Sequence, residues 1–500
     1  MRTGRGKSLA VLFAAILPSL FFAGCAVGPR YSRPSAPVPD AYKETPPNWK
    51  PAQPSDQALR GKWWEIYQDP RLNALEEKIN VSNQSLKASQ AQFEQARATV
   101  RYNRADLYPT VTAGVSATRE RLSKNRPLGQ FSGGITTNDL VIPVDMSYEP
   151  DVWGRVRRTV EAARANAQAS AADLQTVSLS LHAELAMDYF QARELDAEAQ
   201  LLDSTVSGYE KALQLTENRY KGGIASQVDV AQAQTQLETT RAQSINLQVA
   251  RAQLEHAMAV LIGEPASAFS LPVTPLNVSP PVIPPGLPSE LLERRPDVAA
   301  AERRMAAANA QIGVAKAAYF PLFNLVPSAG FESTTITNWL SGPSGFASVG
   351  ASAVVTAFDV GRRRAASDQA RAAYDQSVAN YRENVLTAYK EVEDNLAALR
   401  ILENEASTQG AAVAAAEHSL SLSNNRYKGG VATYLEVITA QTAALSDERV
   451  AVQITGTRMV DSVLLIKALG GGWDAASLST LKADASPASS EAPSTPRTIQ

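Results

Sequence analysis

The sequence is poor in the residues that build chemistry. Its 500 residues include one cysteine, Cys25, so no disulfide framework exists within the chain. Three histidines and six methionines are scattered, which argues against a metalloenzyme or a thioether-lined metal path. His182, His256 and His418 have no partner at ligand spacing and read as ordinary helix residues. No nucleophile–base set, phosphate loop or metal cluster stands out, so the chain reads as a non-enzyme with no cofactor. The net charge of -2 gives no pull towards nucleic acid. After residue 25 no stretch approaches the ~20 apolar residues of a membrane-spanning helix. Any membrane crossing must therefore be made by strands.

What is present begins with an address. Arg2, Arg5 and Lys7 precede an apolar run from Leu9 to Ala23, too short to span a bilayer but of signal length. The run closes on Phe22-Ala23-Gly24-Cys25, which resembles a bacterial lipoprotein box, with Phe22 where an aliphatic residue is usual. The expectation is a signal at 1–24 and a diacylglycerol on Cys25, each buried CH₂ adding ~0.8 kcal/mol of membrane affinity. Ala26 follows, with no aspartate that would resemble an inner-membrane retention signal. Residues 25–60 are rich in Pro, Ser and Ala and read as an extended tether. The tail at 476–500 has the composition of disorder.

The remainder is a duplication. Asn218-Arg219-Tyr220-Lys221-Gly222-Gly223 recurs as Asn425-Arg426-Tyr427-Lys428-Gly429-Gly430. Asp151-Val152-Trp153-Gly154-Arg155 answers Asp359-Val360-Gly361-Arg362, and Tyr108-Pro109 answers Phe320-Pro321. The order is kept, so the chain holds two domain-sized copies, at 61–285 and 286–475. In the first, a helix over about 81–107 leads to a β-hairpin at 108–149, a long helix at 155–218, a turn at 220–225 and a return helix at 226–262. A linker follows, with nine prolines between Gly263 and Asp297, which excludes helix there and suggests a belt around the bundle's middle. The second copy runs helix 297–318, hairpin 319–359, long helix 362–425, turn 427–432 and return helix 434–469. Leu174, Val177, Leu181, Leu185, Ala192, Leu195 and Leu202 step by three, four or seven residues, the spacing of a coiled-coil seam. Each long helix reaches ~95 Å.

Four segments alternate apolar and polar residues: Val111–Ala117, Leu140–Tyr148, Phe323–Phe331 and Val349–Val355. Such ten-residue dyads suit outer-membrane strands, apolar to lipid and polar to a lumen. The pattern alone is equally that of two half-buried hairpins on a soluble domain. Pro143 and Pro327 are blemishes, each deleting a ladder donor. Four strands cannot close a barrel, so the membrane reading requires oligomers.

Specific motifs add a resemblance. Gly24-Cys25-Ala26-Val27-Gly28-Pro29-Arg30-Tyr31, Trp63-Trp64-Glu65-Ile66-Tyr67-Gln68-Asp69-Pro70, Leu291-Leu292-Glu293-Arg294-Arg295-Pro296-Asp297-Val298, Ile312-Gly313-Val314-Ala315-Lys316 and the two Arg-Tyr-Lys-x-Gly turns resemble the TolC-like outer membrane factor family, in its lipoprotein branch. The resemblance spans about residues 24–475. It implies a membrane α/β-barrel: a homotrimer whose twelve-stranded outer-membrane β-barrel, four strands per chain, continues into a long periplasmic α-helical barrel closed at its tip. It implies outer-membrane lipid, a periplasmic adaptor and an inner-membrane pump as partners, and passive export of small molecules such as drugs. Protein secretion, metal efflux, or a coiled-coil scaffold without a pore are the alternatives. The resemblance makes Tyr220, Lys221, Gly222, Gly223, Tyr427, Lys428, Gly429 and Gly430 the adaptor-docking tip. It makes Asp229, Tyr427 and Glu436 gate residues, with a Tyr427–Asp229 latch between neighbouring coiled coils and a Glu436 ring. The family's arginine five places after the second tyrosine is Ala432 here. The alternative reading of these polar residues is a solvated helix surface. Arg155, Arg157, Arg158 and Arg362-Arg363-Arg364 open the long helices and suit either anionic lipid or plain water.

Overall fold

A computed structural model describes residues 26–44, 61–125, 134–283 and 291–473. The signal, Cys25, the later part of the tether at 45–60, part of the proline-rich linker and the tail lie outside the described residues.

The strands form one antiparallel sheet: β1 (Thr110–Ala113), β2 (Ser116–Arg121), β3 (Thr136–Ser147), β4 (Leu322–Ser333) and β5 (Gly345–Val354), in the order β1-β3-β4-β5 with β2 also on β3. The first of the four expected strands is thus in two pieces, and the register explains why. Thr110 faces Ser147 and Ser116 faces Val141, so the alignment is unchanged across the gap. The Gly114 amide donates to the Pro143 carbonyl at 3.1 Å, but Pro143 has no N–H to return. Pro327 acts likewise on the other side of β3. The β3–β4 ladder stops at Asp145–Ser328 and resumes only at Tyr148–Leu325, where both backbone bonds form. Leu325 directs its backbone groups at β3, and alternation turns the N–H-less Pro327 to the same edge.

No residue of the five strands is buried on either face. Val349 is 86% exposed and Val111 63%. A half-buried hairpin of a soluble domain packs one face on a core, and this sheet has no such face.

The helices are α1 (Pro70–Ser82), α2 (Gln84–Ala105), α3 (Arg155–Lys221), α4 (Gln227–Leu261), α5 (Leu291–Arg294), α6 (Pro296–Ala317), α7 (Arg362–Lys428) and α8 (Tyr434–Ala468). The helix expected over 81–107 starts earlier and is split. Asp69 caps α1, its carboxylate accepting from the Arg71 and Leu72 amides, with Pro70 at the first position where no N–H is needed. At Asn83 the backbone turns extended; its amide group donates to the Leu261 carbonyl at 2.7 Å and its oxygen accepts from the Leu86 amide. One side chain thereby ends α1, starts α2 and ties both to α4. The long helices α3 and α7 each hold 67 residues, and the return helices 35. Arg-Tyr-Lys extends both long helices to the first glycine of the turn, past the expected ends at 218 and 425.

The chain folds into two compact units that are not the two repeats, because each repeat contributes to both. One gathers, among the described residues, 26–35, 92–125, 134–170 and 301–381. It holds the sheet and an alanine seam in which Ala162 and Ala165 of α3 meet Ala307 and Ala310 of α6. The segment after Cys25 straps this unit. The Val27 amide donates to the Trp153 carbonyl at 3.0 Å, Tyr31 donates to Glu302 at 2.6 Å, and Arg33 donates to the Tyr381 hydroxyl at 2.9 Å. Gly28, at φ +109°, lies against the Gly313 backbone with no room for a Cβ. Of the arginines that open the long helices, Arg362 and Arg364 are exposed, Arg158 pairs with Glu161 one turn on, and three others are held by carboxylates just before the helices. Arg155 pairs with Glu149, Arg157 with Asp151 and Arg363 with Asp359.

The other unit gathers, among the described residues, 36–44, 61–91, 171–283, 291–300 and 382–473. Its core includes Trp63, Leu72, Ile79, Leu185, Tyr189, Phe190, Met258 and Ile262. Of the expected seam residues of α3, Leu185, Ala192 and Leu202 are buried and the rest half-buried. The proline-rich linker is pinned to α3: Arg193 donates to the Pro272 carbonyl at 2.9 Å, and Asp196 accepts from the Thr274 amide at 2.8 Å. His182 is no ordinary helix residue. It is buried, stacks on Trp64 at 4.5 Å, and meets Glu76 at 2.6 Å through Nδ1.

Candidate functional site: the duplicated helix turns

Both turns lie in the second unit and are built alike. At the first, the Gly223 amide donates to the Tyr220 carbonyl at 2.9 Å and the Ile224 amide to the Arg219 carbonyl at 2.8 Å. At the second, Gly430 donates to Tyr427 and Val431 to Arg426, each at 3.0 Å. This is the Schellman pattern, which satisfies the last carbonyls of a helix and requires a left-handed residue. Gly223 and Gly430 supply it, both at φ +75°. The sequence motif is thus first a helix terminator.

The two copies then diverge. Tyr220 is exposed, whereas Tyr427 is 6% exposed and packs with Ala233, Tyr434 and Val437. Lys221, Gly222 and Gly223, like Lys428, Gly429 and Gly430, are exposed. The Tyr427 hydroxyl points at Thr216 in a long 3.5 Å contact rather than at Asp229 of its own chain. Asp229 is occupied in capping α4: its carboxylate accepts from the Ser226 amide at 2.8 Å while its own amide donates to the Ser226 hydroxyl. Burial first, then the neighbouring Tyr427, Tyr209 and Asp229, pushes the Tyr434 phenol up to about 12. Glu436 pairs with Arg426, Nε to Oε1 at 3.0 Å. The structure therefore brings Tyr427 to Thr216 and Glu436 to Arg426, and within one chain does not bring Tyr427 to Asp229.

Sequence reasoning missed Arg219. Its guanidinium lies 4.6 Å from the Tyr427 ring centroid and donates to the Lys428 carbonyl at 3.2 Å. The only sequence signal was its place in the repeated motif, where its twin Arg426 does something different.

Residues 75–264 and 287–471 match the family described as outer membrane efflux protein. The chain belongs to the outer membrane efflux protein family. Among its relatives, the probable efflux pump outer membrane protein TtgC of Pseudomonas putida is 31% identical, with 92% of this chain and 96% of that one aligned. The cation efflux system protein CusC of Escherichia coli is 28% identical, covering 91% of this chain and 97% of that one. The outer-membrane channel OprN has the same fold at a TM-score of 0.83 and 30% identity, over 90% of this chain and all of that one. This outer membrane efflux protein is accordingly an outer-membrane component of an efflux system, extending into the periplasm, in a family of transport conduits. Among the described residues no helix is long and apolar enough to cross a membrane.

Proposed function

We propose that three copies of the chain close one barrel and form the exit duct of a tripartite efflux pump for small molecules such as drugs. The observation that carries this is the sheet. None of its apolar residues is buried on either face, and among the described residues β5 and the β1/β2 strand are edges without a partner. An open edge is forbidden in lipid, so β5 of one copy pairs with β1/β2 of the next. Three four-strand sheets give a twelve-stranded barrel, above the roughly eight strands of the smallest common ones. The helix hairpins then continue as a periplasmic helical barrel. A diacylglycerol on Cys25 anchors each copy beside its strap. The exposed Lys-Gly-Gly turns are the surface on which a periplasmic adaptor docks and couples the duct to an inner-membrane pump. Tyr427, Asp229 and Glu436 control passage at that end, the Asp229 contact being made between copies.

The experiment is native mass measurement of the detergent-extracted protein followed by reconstitution in planar bilayers. A trimer that conducts is expected. A monodisperse monomer without conductance overturns the reading.

A further inference from the structure

The two tip turns are near-identical in sequence, yet one residue treats them unequally. Arg219 belongs to the first turn, but its side chain serves the second. It stacks on Tyr427 at 4.6 Å and donates through Nη1 to the Lys428 carbonyl at 3.2 Å. Lys428 is the last residue of α7, so its carbonyl sits at the negative end of a 67-residue helix. The guanidinium satisfies both demands at once: its carbon lies over the ring and one of its N–H groups meets the carbonyl. The Arg219 backbone carbonyl meanwhile closes the first turn by accepting from Ile224 and Ala225. One residue therefore caps its own turn through the main chain and grips the other through the side chain. Arg426, at the same place in the second copy, makes no reciprocal grip and instead pairs with Glu436 on α8 of its own hairpin.

We propose that Arg219 is the clamp that binds the two helix hairpins of one chain together at their tips and sets how readily the second hairpin moves apart from the first. This rests on the reading of the turns as the end of the duct where passage is controlled. Arg219 is a positioning residue: it acts through Tyr427 and the end of α7. The duplication supplied the arginine twice, and the fold uses one copy between hairpins and the other within a hairpin. An adaptor that docks on the exposed Lys-Gly-Gly surface meets the Lys428 end of α7 and competes with Arg219 for the Lys428 carbonyl.

The test compares Arg219→Ala, Arg219→Lys and Arg426→Ala in the full-length, detergent-extracted protein. Amide exchange of Gly430 and Val431 is read first, since it needs no conductance. Arg219→Ala should exchange roughly tenfold faster there, the equivalent of ~1.4 kcal/mol. Arg219→Lys, which keeps the charge but not the planar fork, should fall between Ala and the parent. In planar bilayers, Arg219→Ala trimers should spend more time in higher-conductance states than the parent; Arg426→Ala, which leaves Arg219 on the Lys428 carbonyl, should leave Gly430 and Val431 exchange as in the parent. Unchanged exchange in Arg219→Ala overturns the clamp even in a conducting trimer, as does an equal effect of Arg426→Ala. Faster exchange in a protein that never conducts leaves the clamp standing and defeats the reading of the turns as a duct gate.

Discussion

Replacing Arg295 should be among the most damaging single changes outside the sheet. The residue stands between α5 and α6 within Leu291-Leu292-Glu293-Arg294-Arg295-Pro296-Asp297-Val298. Its side chain is 9% exposed and makes four bonds: a two-pronged pair to Asp297 at 3.0 and 2.6 Å, one to Glu391 at 2.6 Å, and one to the Ala468 carbonyl at 3.0 Å. Burial works against its charge, but Asp297 and Glu391 hold its pKa above the usual arginine value. Breaking a fully buried pair costs about 3–5 kcal/mol. Here Asp297 and Glu391 keep 32% and 46% of their side-chain surface in water, so they are resolvated when the arginine goes. The Ala468 carbonyl at the end of α8 loses a charged donor, which is worth about 1.5–3 kcal/mol. Arg295→Ala should therefore cost about 3 kcal/mol, and Arg295→Lys, which reaches one carboxylate but forks to neither, about half as much. Amide exchange over the last turn of α8 reports the local opening energy. It should quicken by about two orders of magnitude in the alanine variant, since each ~1.4 kcal/mol is tenfold. Exchange within threefold of the parent would refute the argument, as would a lysine variant as weak as alanine.

Other outcomes follow from the same reasoning. Gly223→Ala forces a Cβ at φ +75° and should loosen the first turn by ~1–2 kcal/mol, while Gly222→Ala, with ordinary contacts, should be near neutral; Ile224 amide exchange separates them. Burial first, and Glu198 second, push the Glu194 carboxyl up from 4.5 to about 7. The folded state thus favours its protonated form, and the stability this gives is full below pH 4.5 and lost as pH rises through 7. Thermal melting should occur at a higher temperature at pH 5 than at pH 8, and Glu194→Gln should narrow that gap; an identical gap in the variant defeats the assignment. Cys25→Ser should remove a diacylglycerol mass from the mature protein, and an unmodified Cys25 in the parent would end the lipoprotein reading.

Periodicity located the long helices well, because a coiled-coil seam and a glycine turn are both local signals. Their ends were misplaced by three residues because Arg-Tyr-Lys was counted with the turn, although the Schellman bonds begin at Arg219 and Arg426. The broken first strand was illegible for a different reason. Its cause, Pro143, lies on another strand, and only the register shows that Gly114 is the group left unanswered. His182 was misread because its partner is 106 residues away. A signal existed in Glu76, a carboxylate on the apolar face that Leu72, Leu75 and Ile79 define, where it is 0% exposed. Arg219 was the least legible, since two copies of one motif gave no reason to expect unequal roles. The soluble-hairpin alternative fell to burial, which alternation alone does not report.

The two strand prolines have a consequence for biogenesis. Before it reaches its partners, the chain carries edges that invite any extended peptide to add to them. Its most apolar strand stretches are Leu140-Val141-Ile142-Pro143-Val144 and Leu322-Phe323-Asn324-Leu325-Val326-Pro327. They are uncharged runs of five and six residues, the first bounded by Asp139 and Asp145, and come close to the composition that stacks into cross-β fibres. A proline within or at the end of the run removes one amide from every layer of such a stack, and the loss recurs with each added chain. In the finished sheet the same proline is missed once, as a single gap in one ladder. The prolines therefore penalise disordered aggregation far more than they weaken the assembled protein, and they let a chain with uncovered strands travel before it pairs.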